Sequence, residues 1–224
     1  SLLELSGWPK PGNVHRTHNF KETQYEHFLS AISAIQPCFY SHCQRIKNSI
    51  NSYNQDLSFV NLGDIFTDTV TEMMKWQRGG NVLLGHILIL TPLLASTTIC
   101  LKFKRHKFRD LQDTLVKIIK ESTVLDTIKL YKAIKAANPG GLGKIDKYDI
   151  NDPKSIKQLK EDNVDLKEIF ELSKKYDLIS REYAEGYLVI FEFGLPHFLE
   201  RFEVKNDINV AIVDTFLRIL SQYP

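Results

Sequence analysis

The stretch Asn81-Val-Leu-Leu-Gly-His-Ile-Leu-Ile-Leu-Thr-Pro-Leu-Leu-Ala-Ser-Thr-Thr-Ile-Cys-Leu101 decides the fold class. Its 21 residues contain no Asp, Glu, Lys or Arg, and a run of that length is long enough to span a bilayer. Gly85, Pro92 and several Ser and Thr residues interrupt the apolar run, however, and the chain has no second stretch of this kind. We therefore expect a buried helix, apolar on all sides, rather than a membrane span. His86 within it is interpreted as a core histidine.

Helical spacing continues on both sides of this stretch, and strand-like alternation is almost absent. We expect one all-α protein, a single compact multi-helix domain of about eight helices over residues 1–224, with the apolar helix buried at its centre. Residues 2–5 look like the end of a helix, Pro37 should break or kink the second helix, and a glycine should supply the left-handed cap after 137. The predicted helices are 23–49, 64–77, 108–121, 125–137, 165–193 and 206–222, with loops at 51–57, 78–81, 138–143 and 144–154.

Composition narrows the range of functions. Of the 224 residues, 43% are hydrophobic and 25% charged, which is typical of a globular protein. The net charge of +2 is too small to indicate a nucleic-acid-binding surface. The three cysteines, Cys38, Cys43 and Cys100, form no CxxC pair, which argues against a disulfide scaffold or a zinc site. We expect a cytoplasmic protein with neither a nucleic acid nor a membrane as partner.

The loop at 9–19 is the first candidate site. Two prolines stiffen the chain around Lys10, and Gly12 allows a ligand to approach the backbone. Cationic and hydrogen-bonding side chains this close together indicate an anion site, although a surface turn between helices is the alternative reading. The residues that we expect to bind here are Lys10, Asn13, His15, Arg16 and His18.

A carboxylate stripe is the second candidate. Asp64, Asp68 and Glu72 stand four residues apart, which places all three on one face of a helix. Like charges in this arrangement repel each other, so a divalent cation, a basic neighbour such as Lys75, or solvent must offset them. Asp64 and Asp68 are the predicted metal ligands, and a solvated helix face is the alternative.

Two further motifs lie at predicted helix ends or on an apolar helix face. The first, Gln77-Arg-Gly-Gly80-Asn81, precedes the apolar helix, where free backbone N–H groups favour phosphate. A simple helix cap is an equal reading. The second includes Asp177 and Arg181, one turn apart beside an apolar stripe of the predicted helix 165–193. A helix salt bridge explains this pair as well as a catalytic carboxylate does.

Four motifs taken in order resemble the triphosphoribosyl-dephospho-coenzyme A synthase family, closest to its archaeal-type branch. The resemblance covers nearly the whole chain, and its most specific motif is Pro-Lys-Pro-Gly. The motifs are Pro-Lys-Pro-Gly-Asn-Val at 9–14, Gln-x-Gly-Gly-Asn…Leu-Gly at 77–85, Pro-Gly-Gly-Leu-Gly at 139–143 and Asp-x-Ile-x-Arg-Glu-Tyr at 177–183.

The resemblance implies an all-helical transferase that joins ATP to 3′-dephospho-coenzyme A and releases adenine. In that reaction a ribose 2′-hydroxyl attacks the anomeric carbon of ATP through an oxocarbenium-like transition state, and a carboxylate takes the hydroxyl proton. Mg²⁺ and basic groups hold the triphosphate. The combined prediction is Asp177 and His18 as catalytic residues, Lys10, Asn13, His15, Arg16, Gln77, Gly80, Asn81 and Arg181 as substrate-binding residues, and Asp64 and Asp68 as metal ligands.

Two departures from the bacterial pattern leave alternatives open. The bacterial second motif reads Asn-Thr-His-Lys-Gly, whereas this chain has Val82 and Leu83 after the Asn, and Asn19 stands where an acidic residue is usual. Both changes remove polar groups, so a different acceptor is one alternative. A nucleotide-binding or structural helical protein without turnover is another, and a metal-dependent phosphohydrolase is a third. A homodimer is one option for the oligomeric state.

Overall fold

The computed structural model describes residues 1–50, 56–143 and 145–223. In this part of the chain the protein is helical, has no strand and forms a single compact domain, so the predicted fold class is confirmed. A 3₁₀ turn, Ser58–Val60, and a π-helix, Val189–Gly194, accompany the α-helices. The α-helices are α1 (Leu2–Ser6), α2 (Tyr25–Ser49), α3 (Leu62–Lys75), α4 (Leu84–Lys102), α5 (Phe108–Lys120), α6 (Val124–Ala137), α7 (Ser155–Glu161), α8 (Leu166–Ser173), α9 (Leu178–Glu185), α10 (Leu195–Lys205) and α11 (Ile208–Gln222).

Helix α4 is the predicted apolar helix, and it packs against α2, α3, α5 and α9. One face is buried, with residues recurring at helical spacing, while the opposite face is only partly covered and ends at the exposed Leu101. Among the described helices, α4 is the one that is long and apolar enough to cross a membrane, and half of its most apolar window is buried inside the protein. The buried residues are Leu84, Ile87, Leu88, Thr91, Pro92, Ala95, Ser96, Ile99 and Cys100.

A proline inside α4 determines how α9 attaches to it. Pro92 has no N–H, so the carbonyl of Leu88 loses its usual donor four residues on. The hydroxyl of Tyr183 in α9 donates to that carbonyl at 2.7 Å, and the hydroxyl of Tyr187 donates to the carbonyl of Ile89 at 3.1 Å. Gly85 near the start of α4 approaches Ile179 near the start of α9, and Leu88 contacts Tyr183 further on, so the two helices run in the same direction where they touch.

A buried carboxylate joins α3 to α6. Asp126 accepts from the backbone N–H of Gly63 at 2.8 Å and from the backbone N–H of Thr123 at 2.8 Å. The second bond caps the first turn of α6, and the first fastens the start of α3 to it. The helices touch closely, because a Cβ on Gly63 would lie 2.7 Å from the Cβ of Lys129.

The predicted single helix over 165–193 is wrong, because three elements occupy that range. Asp177 has φ −135° and its side chain accepts from the backbone N–H of Ser180, so it starts a new helix instead of continuing the old one. Gly186 then ends α9 with φ +73°. The error arose because the apolar periodicity of the sequence continues past the residues where one helix ends and the next begins.

Other boundaries also differ from the prediction. Helix α2 continues through Pro37, and Asn138, with φ 46°, supplies the left-handed cap of α6 that was expected from a glycine. Helices α7 and α10 were not predicted, and the described residues contain eleven α-helices instead of eight. Residues 51–55 of one predicted loop and Lys144 of another lie outside the described residues.

The bond between Tyr183 and Leu88 can be tested by a double-mutant cycle. Tyr183→Phe leaves the buried Leu88 carbonyl without a donor, so we expect the free energy of unfolding to fall by about 1–3 kcal/mol. In a Pro92→Ala background the restored backbone N–H serves that carbonyl, so the same change should cost less. Urea unfolding followed by circular dichroism measures both. Tyr176→Phe, at a side chain 88% exposed, is the control. Equal losses in the two backgrounds would contradict the interpretation.

Candidate anion-binding site at three helix N-termini

The N-terminal ends of α2, α4 and α9 meet around the turn at 77–85. The Thr23 hydroxyl, just before α2, donates to the Gly79 carbonyl at 2.9 Å. A Cβ on Gly79 would overlap the ring of His27 in the first turn of α2, and a Cβ on Gly85 would lie 3.2 Å from Ile179 in α9. Helix N-termini carry free N–H groups and a partial positive charge, so their convergence favours an anionic ligand.

The glycine turn has its own internal support. The Gln77 amide donates to the Gly80 carbonyl at 2.8 Å and accepts from the Gly79 N–H at 2.6 Å, and the side chain is buried. Asn81 accepts from the N–H of Leu84 at 3.1 Å, so the helix-cap reading holds for it. Gly80, with φ +76°, has open space around it. Of these residues, Gly80 is therefore the one that leaves room for a ligand against the backbone.

Lys10 does not point into solvent. Its side chain is 2% exposed, and Nζ donates to the backbone carbonyl of Glu4 at 2.7 Å and to the Glu4 carboxylate. The other oxygen of that carboxylate pairs with Nε2 of His86 at 2.9 Å. Sequence reasoning missed Glu4 and interpreted His86 as a core residue. His86 is instead only partly buried, and no spacing signal could link two residues that are 82 positions apart.

The rest of the N-terminal loop divides into buried and exposed side chains. His15 and His18 exchange backbone hydrogen bonds of 3.0 and 2.9 Å, and their rings lie 5.6 Å apart. His15 is buried, and burial lowers its pKa, with the charges of His18, Lys10 and Arg16 adding to the effect. Asn13, Arg16 and His18 are exposed. These three are the members of the predicted binding loop that remain open to a ligand.

Asp177 and Arg181 contact different groups. Asp177 is exposed, and its Oδ2 accepts from the N–H of Ser180 at 2.7 Å and from the Ser180 hydroxyl at 2.5 Å. Arg181 lies 3.9 Å from the Glu185 carboxylate and 5.2 Å above the ring of Tyr223. The structure shows no ion pair between them, so the predicted stripe carboxylate is in fact the cap of α9.

Basic side chains of this protein pair with the three carboxylates on this face of α3. Asp64 pairs with Lys129, and Asp68 lies 3.0 Å from Nε2 of His42. Glu72 pairs within α3 with Lys75, as expected, at 3.4 Å. Within the described ranges, no group of three or more His, Cys, Asp or Glu residues is arranged to hold a metal ion.

Position along α3 also separates this stripe from the helix ends. Asp64 lies in the first turn and Gln77 just past the last. Thirteen residues at 1.5 Å each place them about 20 Å apart along the axis. The predicted site residues thus form two groups: those of the N-terminal loop, the 77–85 turn and the start of α9, and those on α3. A single cleft lined by both groups stays a prediction.

The residues at the positions that depart from the bacterial motif pack in the core or cap a helix in this chain. Val82 and Leu83 are 7% and 1% exposed and belong to the hydrophobic core. The Asn19 side chain accepts from the N–H of Tyr25 at 2.8 Å, in the first turn of α2. Apolar packing and helix capping therefore occupy the places where polar ligand contacts were expected.

A groove of about 600 Å³ runs between α2 and α3 next to this region. Small side chains of α2 line one wall, and Trp76, which precedes the glycine turn, closes one end. Cys38 lies in it, and burial raises the pKa of its thiol, with Glu72 and Asp68 adding to the effect. The groove provides an apolar surface beside the helix N-termini.

Fold and site together define an all-α protein in which three helix N-termini converge on a glycine turn. The whole chain, residues 1–224, matches the family CitG, ATP:dephospho-CoA triphosphoribosyl transferase. The chain belongs to this family and is a transferase, as the resemblance implied. ATP:dephospho-CoA ribosyl transfer is the activity that this membership supports.

A solved structure supports the fold independently. The crystal structure of a protein from Archaeoglobus fulgidus, provisionally assigned as a triphosphoribosyl-dephospho-CoA synthase, matches with a TM-score of 0.62. The match covers 88% of this chain and 71% of that one at 19% identity, so it shows a shared fold. No curated protein matches the chain.

Glu182 is a buried carboxyl group next to the site. It is 3% exposed, and its Oε1 accepts from the N–H of Ile190 at 3.0 Å, in the π-helix. Burial raises its pKa to about 7, even though backbone hydrogen bonds from Ile190 and Val189 oppose the shift. The group therefore changes charge near neutral pH inside the protein.

This shift predicts that stability falls as pH rises from about 4.5 to about 7. The unfolded chain has the ordinary Glu pKa near 4.5, so the folded protein binds more protons between that pH and about 7. The free energy of unfolding should fall as pH rises through this window. At pH 8, Glu182→Gln should be more stable than the parent by about 3 kcal/mol. Urea unfolding at pH 5 and 8 measures this, with the exposed Glu192→Gln as control. An unchanged pH dependence in Glu182→Gln would contradict the assignment.

Proposed function

We propose that this chain transfers the 5-triphosphoribosyl group of ATP to the ribose 2′-hydroxyl of dephospho-coenzyme A and releases adenine. The whole-chain family match is the observation that carries the proposal. In the reaction the C1′–N9 bond of ATP breaks and a C1′–O bond forms, while the triphosphate stays intact. The protein must therefore hold the triphosphate, stabilise positive charge at the ribose and move one proton.

The helix-end cluster suits the first task. Three helix N-termini provide backbone N–H groups and partial positive charge for the phosphates. Arg16, His18 and Asn13 are exposed on the adjoining loop and add side-chain donors. Gly80 leaves the backbone open to close approach. We propose this cluster as the triphosphate site.

Asp177 suits the second task. Its Oδ2 is occupied by the two donors of Ser180, which fixes the orientation of the carboxylate at the start of α9. The Oδ1 atom on the exposed side is then available to a ligand. We propose that it provides a fixed negative charge beside the oxocarbenium-like ribose, where charge develops in the transition state.

The activity can be tested by following adenine chromatographically during incubation with Mg²⁺-ATP and dephospho-coenzyme A. Asp177→Asn should slow adenine release at least about tenfold. Asn is as good a helix cap as Asp, so α9 should remain folded and the loss should report the charge. Asp165→Asn, at the cap of α8, is the matched control and should leave the rate unchanged.

Other outcomes of this assay separate the alternatives. Adenine release only with another nucleoside acceptor would mean that Asn19, Val82 and Leu83 mark a changed acceptor. ATP binding without adenine release would favour a binding protein, and inorganic phosphate as product would favour a phosphohydrolase. Either of the last two results would overturn the proposed transfer.

Mg²⁺ is proposed as the counter-ion of the triphosphate, because hard divalent cations favour phosphate and carboxylate oxygens. Asp64 and Asp68 fit poorly as its ligands, since Lys129 and His42 already hold their carboxylates. When bound, the ion would neutralise phosphate charge. The residues of the helix-end cluster would then orient the nucleotide through the donors described above.

The ligand assignment has a direct test. We expect an Asp64→Asn, Asp68→Asn double variant to keep its Mg²⁺-ATP affinity within about threefold of the parent, because the phosphates supply most of the metal's oxygens. Isothermal titration with ATP, with and without Mg²⁺, measures this. A tenfold loss confined to the Mg²⁺ titration would restore the two aspartates as ligands.

The cytoplasmic location and the homodimer stay predictions. Light scattering measures whether the protein is a dimer.

A further inference from the structure

Glu4, Lys10 and His86 form a chain of contacts at the N-terminal end of α4. The Glu4 carboxylate pairs through Oε1 with Lys10 and through Oε2 with Nε2 of His86, at 2.9 Å. The Lys10 side chain is 2% exposed, whereas that of His86 is 29% exposed. A buried cation thus holds a carboxylate, and the carboxylate holds an imidazole that reaches the surface beside the helix-end cluster.

The charge of Glu4 decides which nitrogen of His86 carries the proton. Burial alone would raise the pKa of Glu4, but hydrogen bonds from His86 and Lys10 outweigh it and bring the pKa to about 2. The carboxylate is therefore ionised near neutral pH and can only accept hydrogen bonds. Nε2 of His86 must carry the hydrogen between them. In the neutral ring, Nδ1 then has the free lone pair.

Helix packing places His86 at the same end of α4 as the proposed site. His86 follows Gly85, which contacts Ile179 in the first turn of α9. Because α4 and α9 run in the same direction, Asp177 at the start of α9 lies at the same end of the pair. A carboxylate that fixes the tautomer of a histidine is the arrangement by which proteins prepare an imidazole for proton transfer.

We propose that His86 transfers the reaction's proton through Nδ1, with Glu4 and Lys10 as positioning residues; this rests on the proposed function. The acceptor hydroxyl gives its proton to Nδ1 as its oxygen forms the new bond to C1′. The electron pair of the C1′–N9 bond leaves with adenine, and the protonated imidazole then returns the proton to adenine. One hydroxyl proton is taken and one adenine proton is supplied, so the step balances.

The decisive variant is His86→Gln. The Gln amide can still donate to Glu4, so the Lys10–Glu4 pair and the fold are kept while the Nδ1 lone pair of the imidazole is lost. We expect kcat for adenine release to fall at least about 100-fold with KM changed less than about threefold. His106→Gln, at an exposed loop position, is the control and should match the parent. Thermal melting followed by circular dichroism checks that the variants are folded.

The pH profile separates proton transfer from a merely structural role. A base must be unprotonated, so the rate of the parent should fall at acid pH, and His86→Gln should lose this limb. Glu4→Gln removes the negative charge beside the ring and should move the limb to lower pH. The charged or titratable groups at this end of the helices include Glu4 and Lys10, Arg78 in the turn before α4, Glu26 and His27 in the first turn of α2, and Asp177 at the start of α9.

Two results would overturn the assignment. One is a His86→Gln variant with the kcat and acid limb of the parent, and the other is loss of that limb in Asp177→Asn instead. In both cases the parent protein releases adenine, so the proposed function stands. If the parent itself releases no adenine with any acceptor, the proposed function fails, and the role of His86 fails with it.

Discussion

The hydrogen bond from the Tyr183 hydroxyl to the Leu88 carbonyl holds the candidate site in register. Helix α4 is apolar almost throughout, and apolar surfaces attract each other without fixing direction or register. Pro92 removes one backbone donor and so creates a carbonyl that needs a partner in a buried position. Only a hydrogen-bond donor at the level of Leu88 along the helix axis can satisfy this carbonyl, and the Tyr183 hydroxyl is that donor. The start of α9 is therefore fixed beside the start of α4.

The same contact shows why the fold class could be predicted from the sequence and the arrangement of the helices could not. The apolar stretch, the scarcity of strand alternation and the turn at 138–143 are local features, and each leads to the observed all-α domain. The break at Asp177 also has a local signal, since Asp is a preferred N-cap residue. It was overlooked because an apolar stripe continues on both sides of the break. The contact between Tyr183 and Leu88 joins residues 95 positions apart and leaves no local signal.

The candidate site, like the fold, was predictable only where the sequence signal is local. The glycine turn and the loop at 9–14 were found from residue type and order, and they adjoin the same helix ends. The charge partners were not found, because Lys129, His42 and Glu4 come from elements remote in sequence from Asp64, Asp68 and His86, respectively. The spacing of Asp64 and Asp68 indicated their common helix face correctly. It contained no information about which cations other helices bring to that face.

These charge partners change what each residue can do. Lys10, which belongs to the most specific motif, pairs its ammonium group with Glu4 and is closed to solvent, so its side chain contacts Glu4 where direct ligand contact was predicted. In the proposed triphosphate site, the groups open to a ligand are then backbone N–H groups at helix ends and the exposed Arg16 and His18. Backbone donors recognise phosphate but not the rest of a nucleotide. Val82 and Leu83 are buried in the core, so neither side chain can take over the polar contacts that the bacterial motif has at these positions.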